Sequence, residues 1–155
     1  MQKGFATLEL VIVTMIIVIL IGATVPNAVR LLNKVALDFE TKRLYTDLRA
    51  VQAFDRMTNM RDSHFKTAYD ESVRLVVFTD KYTIEKNALD VTYATHYFSN
   101  GVTADKTKII KFDDMGKITP ATSDHLTLKL GRDANFYIYF NSVGRFRPSR
   151  EARDE

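Results

Sequence analysis

The chain contains no cysteine. Disulfide staples and thiolate metal sites are therefore excluded, and any folded domain must rest on its apolar core or on neighbours in an assembly. Histidine is scarce: His64, His96 and His125 stand far apart and follow no metal-ligand spacing. His96 lies in an alternating run and reads as a surface or core residue rather than a ligand. No glycine-rich phosphate loop and no nucleophile elbow occur. Charge of one sign is also missing, because 22 basic residues face 19 acidic ones for a formal net charge of +3. That balance does not mark a nucleic-acid binder unless cations cluster locally. These absences point away from an enzyme, and from any metal or cofactor. The composition is 46% hydrophobic and 11% aromatic over 155 residues, too apolar for disorder and long enough for one domain plus a short extra segment.

What the sequence does have begins at the N-terminus. From Leu10 to Val25 sixteen residues run without a charge, and from Phe5 to Val25 the only interruption in 21 residues is Glu9. At about 1.5 Å of rise per residue, that length just spans a hydrocarbon core of roughly 30 Å. Lys3 precedes the run and Arg30 and Lys34 follow it, a weak indicator of orientation. Three readings compete. A secretory signal peptide would be cut near Ile21-Gly22-Ala23, but Pro26 follows closely and the next residues continue as helix. A plain membrane anchor explains the apolar run and leaves Glu9 without a purpose, although a carboxylate in a membrane helix costs several kcal/mol unless it finds a partner. The third reading supplies that partner: the amino group of a neighbouring chain, made by cutting just before Phe5.

Lys3-Gly4-Phe5, then Thr7-Leu8-Glu9-Leu10 and the apolar helix, resemble the class III signal of type IV pilins and type II secretion pseudopilins. The resemblance implies that a prepilin peptidase cuts between Gly4 and Phe5 and methylates Phe5. It makes Glu9, four residues after the new N-terminus, the residue that pairs with that amine during subunit assembly. Pro26, 21 residues after Phe5, falls where such helices carry a proline. The physics agrees with the resemblance: in a low-dielectric helix bundle the attraction between amine and carboxylate is strong, and a pair between adjacent subunits would set their axial register.

Pro26 removes a backbone donor and predicts a kink or local melting near Gly22 to Pro26. Beyond it, Ala28 to about Asn59 contains no glycine or proline and reads as a second helical stretch. Leu37, Leu44, Leu48 and Val51 fall on one stripe and predict a face packed on a domain core. Asp38, Glu40, Lys42 and Arg43 read as a solvated face, or one that meets neighbours in a filament.

After Asn59 to Ser63 the periodicity changes. Strands are predicted at Val73 to Phe78, Lys81 to Lys86, Thr92 to Phe98 and Lys108 to Phe112, and a hairpin joins Leu126 to Leu130 with Asn135 to Asn141 around Gly131-Arg132-Asp133. Asp113 and Asp114 before Gly116 read as a turn rather than a calcium site. Helix first and antiparallel strands after it give an α+β class, with a long N-terminal helix, transmembrane in its first half, packed on a C-terminal antiparallel sheet. The predicted segments are a leader at 1–4, a transmembrane or filament-core helix at 5–27, its continuation at 28–60, a sheet head at 61–147 and a polar tail at 148–155.

The order Ile110 to Phe112, Gly116, Leu126 to Leu130, Tyr137 to Phe140 and a closing Gly144-Arg145-x-Arg147 resembles the GspH/FimT subgroup of minor pilins and pseudopilins. Arginine suits phosphate because its planar fork donates two hydrogen bonds and keeps its charge. Strand alternation puts Arg145 and Arg147 on one face with Phe146 turned to the core, and Arg150 and Arg153 add reach from the tail. In the FimT-type proteins this motif is linked to DNA binding during natural transformation, which makes Arg145, Arg147 and Arg150 DNA-contact candidates. The alternative is a solvated final strand, its charge diluted by Glu151, Asp154 and Glu155. The resemblance implies a structural subunit made in the inner membrane in contact with lipid. It would then join other pilins or pseudopilins in a periplasmic or surface filament, with help from an assembly ATPase and a platform protein. A major pilin, or a DNA-binding minor pilin acting in DNA uptake, is the alternative.

Overall fold

The computed structural model describes residues 3–61, 73–86, 91–113, 115–119, 124–131, 134–141 and 143–151, with side chains in the helix described from 8 to 57. The leader residues Met1 and Gln2, together with His64, Asp114, Arg132, Asp133 and the tail beyond Glu151, lie outside the described residues. One helix, α1, runs Lys3–Arg61. The chain divides into two compact units, Met1–Val35 and Ala36–Glu155.

In the first unit every side chain from 8 to 32 is exposed. The segment is apolar on all sides, so no amphipathic stripe selects a packing face. Its small polar groups are satisfied within the helix itself. The Thr14 hydroxyl donates to the Val11 carbonyl at 2.9 Å, the Thr24 hydroxyl to the Leu20 carbonyl at 2.9 Å, and the Asn27 amide to the Ala23 carbonyl at 3.3 Å. Such back-bonding hides polar atoms from an apolar surround. The helix continues through Pro26 without a break, so the local melting expected there does not occur.

In the second unit the rest of α1 is followed, among the described residues, by nine strands. They are β1 (Val73–Val77), β2 (Lys81–Lys86), β3 (Thr92–Tyr97), β4 (Thr103–Ala104), β5 (Lys108–Phe112), β6 (Ile118–Thr119), β7 (Asp124–Leu130), β8 (Ala134–Phe140) and β9 (Phe146–Ser149). All pairings are antiparallel. The class is the α+β arrangement expected, but the single sheet expected is two: a five-stranded sheet in the order β3-β2-β1-β5-β6 and a four-stranded sheet in the order β4-β7-β8-β9. The strands that complete them, β4 and β6, are two residues long each and too short to leave a period in the sequence.

The helical stripe of Leu37, Leu44, Leu48 and Val51 is buried, as its spacing predicts, among Leu75, Val77, Ile110, Leu126, Ile138 and Phe146 from both sheets. Each such side chain contributes about 1.5–3 kcal/mol on full burial. The central strand β1 is buried at four of its five positions, whereas β8 alternates, sending Phe136, Ile138 and Phe140 inward and leaving Asn135 exposed and Tyr137 and Tyr139 half-buried.

Candidate functional site

Glu9 lies in the first unit, exposed, and its carboxylate makes no ion pair or hydrogen bond among the described residues. Leu8, Leu10, Ile12 and Val13 around it are exposed too. Within the apolar run it is the one charged group. Gly4 and Phe5 lie in the first turns of α1, and the Phe5 side chain is outside the described residues.

Of the charged residues in the second half of α1 expected on a solvated face, Lys42 and Arg43 are exposed and Asp38 is half-buried. Glu40, expected on a solvated face, is 1% exposed. Helical spacing puts it on the same stripe as Leu37 and Leu44. One carboxylate oxygen accepts from the Ser99 backbone N–H at 3.1 Å and from the Ser99 hydroxyl; the other lies 2.8 Å from His96 Nε2 on β3. Burial opposes ionisation of Glu40, but the bonds from Ser99 and His96 outweigh it and hold the carboxyl below its ordinary value. Two turns further on, the Tyr82 hydroxyl of β2 donates to Asp47. Burial, and then the Asp47 carboxylate, push the Tyr82 phenol well up. Asp55 accepts from the Val73 N–H at 2.9 Å where β1 begins. The helix thus holds the sheets with polar hooks set between its leucines.

Gln52 is the hook nearest the Gly-Arg-x-Arg ending. Its amide donates to the Gly116 carbonyl at 2.7 Å and to the Gly144 carbonyl at 2.8 Å. Those glycines close two hairpins built alike. Phe112-Asp113-x-Met115-Gly116-Lys117-Ile118 joins β5 to β6, and Phe140-Asn141-x-Val143-Gly144-Arg145-Phe146 joins β8 to β9. Phe112 pairs with Ile118 in one and Phe140 with Phe146 in the other. In each the first turn residue caps the loop with its side chain: Asp113 accepts from the Lys117 N–H at 2.6 Å, and Asn141 from the Arg145 N–H at 2.8 Å. The turn reading of Asp113 is therefore correct. Both glycines need the left-handed region, with φ of 74° and 78°. This repeat is legible in the sequence as a doubled F-[D/N]-x-x-G-[K/R] pattern, yet it emerges only when the two turns are laid side by side. Gln52 gives no signal of its own.

The second hairpin places the arginines. Phe146 is buried, edge-to-face with Tyr45 at 5.2 Å and with Arg49 stacked 4.9 Å above its ring. Arg145 and Arg147 flank it, exposed on the opposite face, and their guanidinium groups make no ion pair among the described residues. Arg150 does not join them in that freedom: its guanidinium lies 3.3 Å from Asp38 on α1, a carboxylate that Lys42 also meets at 2.7 Å. The Lys42 hydrogen bond is the main influence that lowers the Asp38 carboxyl. Elsewhere on this sheet Asp124 takes Lys108 at 2.6 Å and Lys106 at 3.1 Å. Burial works against ionisation of Asp124, but these lysines and the His125 N–H hold its carboxyl well below the usual range. Among the described residues no three His, Asp or Glu side chains are grouped to hold a metal ion.

No family model matches the chain, and no curated protein matches it. Its likeness is to solved structures. The chain is similar to a type IV minor pilin. Two crystal forms of FimU from Pseudomonas aeruginosa strain PAO1 align with it at 14% identity and a TM-score of 0.45. One alignment covers 67% of this chain and 88% of the FimU chain, the other 71% and 90%.

Proposed function

We propose that this chain is a type IV pilin-like filament subunit, a minor pilin or pseudopilin, cut between Gly4 and Phe5 and methylated at Phe5. The observation that carries the reading is in the first unit: a helix apolar on every side, exposed from 8 to 32, long enough to cross a membrane, and carrying at Glu9 a carboxylate with no ion pair among the described residues. A lone lipid anchor has no use for that group, whereas a helix bundle in which a neighbour's N-terminal amine meets it does. On this reading 1–4 is a leader, 5–27 spans the inner membrane and then enters the filament core, and Pro26 marks a bend. The unit from Ala36 onward is the outward head, ending in a short polar tail. The work is structural, not enzymatic. Prepilin peptidase, an assembly ATPase, a platform protein and other pilins are its partners, in a pilus or a type II secretion pseudopilus.

The experiment is the N-terminal sequence and intact mass of the protein taken from membranes, with and without a prepilin peptidase. A mature chain beginning at methylated Phe5 is the expected result. An intact Met1, or a cut near Ala23, overturns it.

A second reading, a DNA-binding minor pilin, is favoured by one observation: Arg145, in the turn just before β9, and Arg147, on β9, flank the buried Phe146 with exposed guanidinium groups that make no ion pair among the described residues. Their contacts would be to phosphate, salt-sensitive and weakly sequence-specific. A gel shift at low salt that disappears when both are replaced by alanine is the expected result. No shift overturns this second reading and leaves the first intact.

A further inference from the structure

The outer face of the four-stranded sheet carries more than two arginines. The strand register aligns His125 of β7, Tyr139 of β8 and Arg147 of β9 in one row. Tyr137 stands two residues along β8 from Tyr139, its ring 6.1 Å away and only 25° out of parallel. The His125 ring lies 5.7 Å from Tyr139 and 6.2 Å from Tyr137, so the three rings form one continuous patch. Cations border it. Arg147 lies on β9 and Arg145 in the turn just before it, and Lys129 falls on the same face of β7 as His125; all three are exposed and unpaired among the described residues. Of the nearby acids, Asp105 accepts from the Thr127 N–H at 3.1 Å and Asp124 is held by its two lysines, while Glu151, whose backbone carbonyl takes the Tyr139 hydroxyl at 3.4 Å, places one carboxylate at the edge of the face.

We infer that this face binds single-stranded nucleic acid, with bases stacked on Tyr137, Tyr139 and His125 and phosphates held by Arg145, Arg147 and Lys129. The inference rests on the DNA-binding reading above and narrows it to a strand form. Arginines alone do not distinguish a duplex from a single strand, because both present phosphates. Aromatic rings on a sheet do distinguish them. Unpaired bases can splay onto the rings, while the bases of a duplex are already stacked inside it. Exposed cations bordering an aromatic patch complement a polyanion that carries flat groups.

The test uses the full-length protein in detergent micelles and fluorescence anisotropy with three probes of equal length, an oligothymidylate, a duplex and an abasic deoxyribose-phosphate oligomer, and a fourth, heparin, at equal charge. The expected result is binding of the oligothymidylate about tenfold or more tighter than the abasic oligomer. The chain has no tryptophan, so its tyrosine emission reports directly and is expected to be quenched by the oligothymidylate alone. Tyr139→Val is expected to weaken oligothymidylate binding about tenfold without changing duplex binding, while Tyr139→Phe retains it. Arg145→Ala with Arg147→Ala is expected to weaken every probe. Equal affinity for oligothymidylate and abasic oligomer, or for heparin at equal charge, overturns the inference: the rings are then a cross-strand ladder and the face a plain polyanion site. In that case duplex binding still stands and the DNA-binding reading survives. No binding of any probe at low salt removes both. The wild-type comparison needs no variant to fold.

Discussion

Gly144 sits so close to Gly116 that a β-carbon on Gly144 would lie 2.0 Å from the Gly116 carbonyl oxygen. The two turns therefore touch through their backbones, and neither can withdraw without dragging its hairpin. Three of the turn glycines then rank by surroundings. Gly131→Ala has the same positive φ problem but open space around it, and should cost about 1 kcal/mol. Gly116→Ala adds a clash with the Arg56 guanidinium, which is the end of a flexible side chain, so the cost should be somewhat larger. Gly144→Ala meets backbone and should cost about 3 kcal/mol or more, enough to open the β8–β9 hairpin. Thermal melts of the three variants check the order; equal losses would mean that the turns are not in contact.

Gln52 is the second test of that contact. It is 8% exposed, and Gln52→Ala leaves the Gly116 and Gly144 carbonyls without their shared donor. An unsatisfied buried polar group costs about 1–3 kcal/mol, so a loss of about 3 kcal/mol is expected from denaturant unfolding. Gln52→Glu should be as harmful, because a carboxylate cannot donate to either carbonyl. A variant within a few tenths of a kcal/mol of the parent would show that water replaces the amide.

The contrast between leucines and hooks marks what the sequence made legible. Leu37, Leu44, Leu48 and Val51 declared the buried face because burial imposes a period, and β2 has the bounds its alternation predicts. Glu40 shares that face but is charged, and a charged residue reads as solvated until its partners are known. Those partners, His96 and Ser99, stand 56 and 59 positions away in the chain, so no local pattern joins them to Glu40. The aromatic patch was hidden for the same reason: His125, Tyr139 and Arg147 meet only through strand register. Phe146 and its two arginines were legible because alternation is local.

Glu40 also gives the head a predictable acid response. Its folded carboxyl titrates below the ordinary value of 4.5, so its contribution is present above about pH 4.5 and is lost as the pH falls through the folded value. Asp124, likewise depressed, adds to the loss at still lower pH, from its ordinary value of 3.8 downward. Glu40→Gln should cost about 2 kcal/mol at neutral pH, as hydrogen bonds to a charged acceptor are replaced by weaker ones. It should also flatten the decline in stability below pH 4.5. Unfolding curves across pH 3 to pH 7 for parent and variant check both; parallel pH profiles would show that Glu40 does not carry the acid response.

Glu9 separates an anchor from a filament subunit. In a lone membrane helix the carboxylate is a cost, so Glu9→Gln should leave membrane insertion as good as before or better. On the proposed reading, processing depends on the Gly4-Phe5 junction, and the mature mass should still appear. On the same reading, assembly depends on the pair between Glu9 and a neighbour's Phe5 amine, and breaking such a pair in a low-dielectric bundle is strongly unfavourable. The expected outcome is therefore a mature, membrane-retained protein whose amount in sheared filaments falls at least about tenfold, a change of 1.4 kcal/mol or more in subunit association. Quantitative immunoblots of membrane and sheared fractions from cells expressing parent or variant measure it. Unchanged filament content would mean that the amine finds another partner and that the carboxylate does not set the register. A fall in both fractions would place the defect before assembly, in insertion or processing, and would remove Glu9 from the subunit interface.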